Sequence, residues 1–246
     1  MKRFAVMAVL IAAATAAGCV QATVDGSGNV VTESRDVSGF DAVALGGSGV
    51  LTITVGEKEA LTVTADDNLL EHIETKVEDG RLSIGRTHEA WRLSLRPSTP
   101  IKYDLTVVRL SAVAVSGAAS VRAEVLAAES FDVAVSGSGD IEIGNLETAR
   151  FTVAISGSGD VSVAGRADVV AIAISGSGVY RGGELMSRSA DCGVSGSGDV
   201  TVWAEEELEV GVSGSGTVSY YGEPRVRSDI SGSGSVRPLG RRTLTL

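Results

Sequence analysis

From Val113 onward, apolar and polar residues alternate in short runs. The tetrapeptide Ser-Gly-Ser-Gly breaks these runs at a near-constant interval. It begins at Ser136, Ser156, Ser175, Ser195, Ser213 and Ser231, so the steps are 20, 19, 20, 18 and 18 residues. Ser116-Gly117-Ala118-Ala119 stands 20 residues before the first and reads as a degraded copy. Aligned on the first serine, the residue one before it is Val115, Val135, Ile155, Ile174, Val194, Val212 and Ile230. Three before it stand Val113, Val133, Val153, Ile172, Cys192, Val210 and Ser228, and five before it Phe131, Phe151, Val170, Ala190, Leu208 and Val226. A spacing of two marks a strand with one face turned inward. A second strand follows the turn, carrying Ile141, Val161, Val200, Val218 and Val236 five residues past the serine. Each repeat therefore predicts strand, glycine turn, strand, then a polar return such as Asn145 to Arg150.

One such unit cannot bury its apolar face, but copies stacked in register can, each strand pairing with its equivalent about 4.8 Å away. Each large aliphatic side chain buried this way contributes about 1.5–3 kcal/mol. Propeller blades need about 40 residues each, twice the period seen here. The expected fold is all-β: a parallel β-solenoid of 18–20-residue coils with SGSG turns, right-handed by the general crossover preference.

The chain before Ser111 is less regular. Leu51–Val55, Leu61–Thr64, Lys76-Val77 and Leu82–Ile84 alternate as strands, and Glu78-Asp79-Gly80-Arg81 predicts a tight hairpin. Asp66-Asp67-Asn68 ahead of Leu69–Ile73 predicts a capped single helical turn. This stretch either closes one end of the solenoid or stands as a small separate β subdomain. The division expected is a body over 26–238, with a less regular part at 26–110 and regular repeats at 111–238, followed by a tail at 239–246.

The first residues carry a different pattern. Lys2 and Arg3 precede an apolar run from Phe4 to Ala17, shorter than the roughly 20 residues that cross a bilayer. Ala16-Ala17-Gly18-Cys19 resembles a lipobox, although Ala16 stands where Leu is usual. That resemblance implies a signal peptide at 1–18, a lipidated Cys19 and a short tether at 19–25. The partner expected there is the membrane, held through the lipid. The protein would be exported to the cell envelope, and to the outer membrane where the organism has one, since Val20 is not the Asp that retains lipoproteins at the inner membrane.

Without residues 1–18 the chain keeps 19 Lys and Arg against 31 Asp and Glu. That acidity excludes nucleic acid as a partner, because its affinity rests on basic groups neutralising phosphates. Besides Cys19 the only cysteine is Cys192, so no intramolecular disulfide is expected. Cys192 takes an inward position and reads as a small core residue.

Several motifs together resemble the putative auto-transporter adhesin, head GIN domain family. They are Phe40-Asp-Ala-Val43, Gly47-Ser-Gly49, Leu51-Thr-Ile53, Asp67-Asn68-Leu-Leu70 with Ile73-Glu74, Gly80-Arg-Leu82-Ser-Ile84 and the SGSGD repeats. The likeness spans residues 26 to 238 and implies a β-helical envelope protein with adhesion as its use. An autotransporter also needs a C-terminal membrane barrel. Only Arg237 to Leu246 follow Val236, so the expectation is a head without its own translocator.

Candidate sites are few. Asp140, Asp160 and Asp199 follow SGSG, and Asp140 with Asp160 could share a calcium ion across one coil step. The column is broken by Val179, Thr217 and Ser235, so solvated turn carboxylates are the favoured reading and no metal site is assigned. The turn serines are expected to bond local backbone groups. Only His72 and His88 are present, with no metal-ligand or nucleophile pattern around them, so neither catalytic residues nor cofactors are expected. Outward positions such as Ala134, Ala154, Ala173, Gly193 and Gly211 make a smooth face. Trp203, Tyr220 and Tyr221 lie one repeat apart and are the candidate ligand surface, a place for a sugar to stack. The expected function is a non-catalytic envelope lipoprotein presenting a rigid surface to an envelope protein or a glycan, with adhesion as its use. The alternatives are a periplasmic structural or sensing accessory and a polysaccharide-active β-helix enzyme.

Overall fold

The computed structural model describes residues 22–242. Short strands come first: β1 (Ala22–Asp25), β2 (Val30–Arg35), β3 (Ala42–Gly47), β4 (Val50–Val55), β5 (Ala60–Asp66), β6 (Ile73–Glu78), β7 (Arg81–Arg86), β8 (Leu93–Arg96) and β9 (Lys102–Val107). Two 3-10 turns, Asp67–His72 and Glu89–Arg92, lie among them. β10 (Ala112–Gly117) leads into the long strands β11 (Ser120–Gly137), β12 (Asp140–Gly157), β13 (Asp160–Gly176), β14 (Val179–Gly196) and β15 (Asp199–Gly214). The chain closes with β16 (Thr217–Tyr221), β17 (Arg225–Gly232) and β18 (Ser235–Gly240). The leader expected at 1–18 and the lipidated Cys19 expected after it fall outside the described residues.

The fold is a β-solenoid of about six turns, 74% strand. Successive coils pair in parallel with equivalent residues opposite one another: Val133 with Val153, Val153 with Ile172, Ile172 with Cys192, Cys192 with Val210. The inward columns are buried, Phe131, Val153, Val170 and Leu208 among them at 0–1% exposure. Phe131 and Phe151 stack one above the other with ring centroids 6.3 Å apart.

The turn explains the motif. Gly137 has φ 118°, a left-handed conformation that an L side chain rarely takes, and a Cβ there would stand 2.5 Å from the Gly117 carbonyl oxygen. At Gly139 the obstacle is packing, because a Cβ would meet Val115 Cγ1 at 2.5 Å. Both glycines of each SGSG are thus fixed by the coil beneath. Backbone bonds between coils hold the turns, as where Ser138 N–H donates to Gly117 O and Ser158 N–H to Gly137 O, each 2.8 Å. These inter-coil bonds are made by the serine backbone N–H groups and are separate from the hydroxyl contacts expected within each turn.

The polar return expected at Asn145–Arg150 is in fact a third strand-paired side. Val125 pairs with Asn145, Leu126 with Leu146 and Ser130 with Arg150, and Leu126 and Leu146 are buried. A single buried apolar residue in each copy, Leu126 or Leu146, hid this side from the alternation test. Differences in coil length collect here: the register shifts between Ile143 and Leu146 and again between Gly182 and Met186, while the sides flanking the SGSG turn keep step.

The ladder continues into the irregular region. β3 pairs with β10, Val43 opposite Val113 and Gly47 opposite Gly117, and β4 pairs with β11. β7 and β9 extend the same two sides by one more level. Antiparallel strands then cover the edges, β6 on β7 and β5 on β9, with β2 on β5. β6 and β7 are joined by the expected hairpin, Asp79 and Gly80 both at positive φ.

The helical turn after Asp66 forms as a 3-10 turn, but Asp66 makes no side-chain cap. Its fully buried carboxylate instead accepts the Ser98 hydroxyl (2.6 Å), Ser98 N–H (2.8 Å) and Gly28 N–H (2.8 Å). These bonds, the Ser98 hydroxyl foremost, hold its carboxyl below the usual carboxylate range. Asp66 thus ties together two loops that close this end.

Val153→Asp is expected to destabilise the fold by about 3 kcal/mol or more, since it buries an unpaired carboxylate at a fully enclosed site. Thr152→Asp, exposed on the other face of the same strand, should stay within about 0.5 kcal/mol. Urea denaturation of both variants checks the inward register, and equal losses would contradict it.

Candidate interaction surface

The outward side of the strand before each turn is paved with small residues. Ala134, Ala154, Ala173, Gly193 and Gly211 are exposed, and beside them runs an exposed row of Ser136, Ser156, Ser175, Ser195 and Ser213. They line up because the coils are in register. At the capped end this floor meets longer side chains: Glu74, Lys76 and Glu78 from β6 and Arg86 from β7. Together they bound a groove of about 940 Å³ floored by Ala44, Ala114, Ala134 and Ala154. A second hollow of about 580 Å³ continues it past Ala173, Gly193 and Gly211, sharing Ala154 and Ser156. The smooth face anticipated from the repeats is therefore a trough with a charged rim at one end. That rim was not legible in the sequence, because it depends on β6 folding back beside β7.

The aromatic residues sit elsewhere in the architecture. Trp203 is buried at 2% exposure, which corrects the expectation that it offers a ring to a ligand. Its Nε1–H donates to Glu205 Oε1 at 2.5 Å, and the buried Ser187 hydroxyl donates to its carbonyl at 2.6 Å. Tyr220 packs half-buried against the core. Tyr221 lies against Gly183, where an added Cβ would come within 3.0 Å of its ring, and the Arg242 guanidinium sits 5.1 Å from the ring centroid. The glycine pair Gly182-Gly183 explains the cluster. Gly182 makes room for the enclosed Tyr180 ring and Gly183 for Tyr221, just where β14 is out of step with β15.

Asp140 and Asp160 do stand opposite each other on adjacent coils. Asp160, however, accepts a hydrogen bond from Arg181 Nη1 at 2.8 Å, which gives its charge a partner from the next coil. Among the described residues no group of three or more His, Cys, Asp or Glu comes together as a metal site. Cys192 is fully enclosed, and burial, with the neighbouring Asp191 charge adding to it, pushes its thiol up to about 12.

Parallel coils, a filled interior and an external trough define the class as β-solenoid repeat proteins. Within it, the chain belongs to the putative auto-transporter adhesin, head GIN domain family, whose pattern matches residues 39–224. Solved structures share the fold. A putative adhesin from Bacteroides fragilis superposes with a TM-score of 0.81 at 24% identity, covering 88% of this chain and 100% of its own. A putative lipid binding protein from Parabacteroides distasonis gives 0.73 at 24% identity over 88% and 99%. A putative adhesin from Parabacteroides merdae gives 0.70 at 19% identity over 89% and 99%. No curated protein matches the sequence.

The Cys192 environment makes a simple prediction. In residues 22–246 at pH 8, a maleimide should leave the folded protein unlabelled and modify Cys192 fully in denaturant. Rapid labelling of the folded state would mean the coil around it opens.

Proposed function

We propose that this chain is a non-catalytic lipoprotein of the cell envelope that holds an extended partner along the Ala/Gly/Ser trough, and that adhesion is its use. The observation that carries the reading is the trough itself. It runs across successive coils, is open along its length, and is floored by side chains too short to obstruct a polymer lying flat. A glycan or an extended protein segment would meet a serine hydroxyl at each coil step from Ser116 to Ser213, and each contact would be weak. The family's designation as an adhesin head supports the same use, and an exported protein fits it. A second reading, an acyl chain in the trough, draws on the apolar floor between Ala44 and Ala154 with Lys76 and Arg86 at its end. One structural neighbour is described as lipid binding.

The test is a matched set of substitutions. Ala134→Glu with Ala154→Glu fills the trough, while Ala127→Glu places the same side chain on another exposed side of the coil. Binding to immobilised envelope glycans and to fatty-acid vesicles should fall at least about tenfold for the first pair and stay unchanged for the control. Loss confined to vesicles selects the lipid reading. Equal binding by all variants to both probes would remove the trough from the function.

For anchoring, Cys19→Ala is expected to abolish incorporation of labelled palmitate and move the protein from the membrane to the soluble fraction. A processed, unlabelled form that stays with the membrane would contradict the lipid anchor.

A further inference from the structure

The two ends of the solenoid differ. Antiparallel β6, β5 and β2 cover the first level, whereas the last level is made of β17 and β18, no further strand covers it among the described residues, and every residue of β17 is exposed. Val226 and Ile230 are 38% and 39% exposed there, although Leu208 and Val212 one coil below in the same columns are at 0% and 3%. An open parallel edge with apolar residues is a template for another strand. We propose that a second copy of this chain docks on this end, β17 pairing with β17 across a two-fold axis.

The backbone sets which groups are free. Asp132 N–H donates back to Ser111 O of the preceding coil, and Arg227 occupies the same column as Asp132. Arg227 and Asp229 therefore direct their N–H and C=O groups toward β15. Val226, Ser228 and Ile230, alternating with them, present theirs to the open edge.

Symmetry sets the rest. A two-fold axis normal to the sheet makes two β17 strands antiparallel and keeps their inner faces on the same side. Centred on Ser228, it sets Val226 of each copy against Ile230 of the other, and Arg227 against Asp229. Ser228 faces itself as a hydrogen-bonded pair, as its outward N–H and C=O require. The neighbouring registers fail on charge: centring on Arg227 or Asp229 opposes like charges, and centring on Val226 sets Arg225 against Arg227. Among the described residues neither Arg227 nor Asp229 makes an ion pair within the chain. The Ser228-centred register pairs opposite charges without setting like charges against each other, and in it the strand is self-complementary.

The competing occupant is the chain's own last segment, residues 243–246. Arg241 bonds Glu223, and Arg242 bonds Glu184 of β14 and lies over Tyr221, so residues 241–242 run along the side of the coils and not across their end. The orientation also has a consequence that rests on the lipid-anchor reading. β1, nearest Cys19, pairs with β8 between β7 and β9 at the capped end, so tail-to-tail pairing sets the two anchors at opposite ends and can bridge two membranes.

Residues 22–246 suit the test, since this body spans the whole of the solved Bacteroides fragilis chain. Light scattering after size exclusion at tens of micromolar should give twice the mass of one chain. Arg227→Asp and Asp229→Arg, both at exposed positions, should each return a single-chain mass with an unchanged melting temperature. The double swap, or an equimolar mixture of the two single variants, should restore the dimer. A single-chain mass for the unaltered protein, species larger than two, or dimers indifferent to both swaps would overturn the proposal. So would a dimer that appears only after residues 243–246 are deleted. In a second arm, residues 19–246 are coupled through Cys19 to maleimide-lipid vesicles, which should cluster unless they carry a single-swap variant. A swap-sensitive solution dimer without clustering upholds the pairing and defeats the bridging adhesion reading.

Discussion

The contact on which the fold depends is between one turn's glycine carbonyl and the α-carbon of the glycine stacked above it. No side chain can enter that space, and the left-handed backbone there disfavours one anyway. With the turns stacked so closely, the strands on either side have no freedom of register. Val115 lies under Gly139 and Val135 under Gly159, so the inward columns follow from the turn and do not compete with it. Hydrophobic burial supplies the stability, while the glycine contact decides which residues share a level.

That constraint acts on only part of each coil. Away from the turn, the third side absorbs insertions and bulges, and there the protein departs from its own repeat. Gly182-Gly183, Tyr180, Trp203 and Tyr221 form a local solution to one such departure. Aromatic residues gathered at an irregularity read in a sequence as a binding patch. Here they fill the space that an out-of-step coil leaves, and the outward face that stays regular is the one bare of large side chains.

The coil, its period and its inward residues were legible because the SGSG spacing and the alternation of Val133, Val135 and Ile141 on either side of the turn report the same repeat from two directions. Less was legible wherever one signal stood alone. Leu126 and Leu146 sit among exposed residues, so their strand-paired side resembles a loop. Gly46-Gly47-Ser48-Gly49 belongs to the turn stack, yet Gly46 stands where the other copies have serine and the next copy is 70 residues away. Asp66 carried a capping signal, but a carboxylate that two loops can reach from outside the turn forms stronger bonds there. The trough's charged rim depends on the β6 hairpin folding back, a tertiary relation with no local mark.

The 70-residue gap also bears on how the chain reaches its native state. From Gly117 onward each level meets the next after about 20 residues, but Gly47 must find Gly117 across the whole intervening segment. Closing the longer loop costs about 1 kcal/mol more in chain entropy, and contacts so distant along the chain form slowly. The regular coils are thus the natural nucleus, and the capping strands can dock only onto a surface those coils have already built. A newly made chain would pass through a stage in which the repeats are ordered while both ends of the stack still lie open. During that interval the molecule is most exposed to mispairing, and the slowest part of its assembly is the closing of a single end.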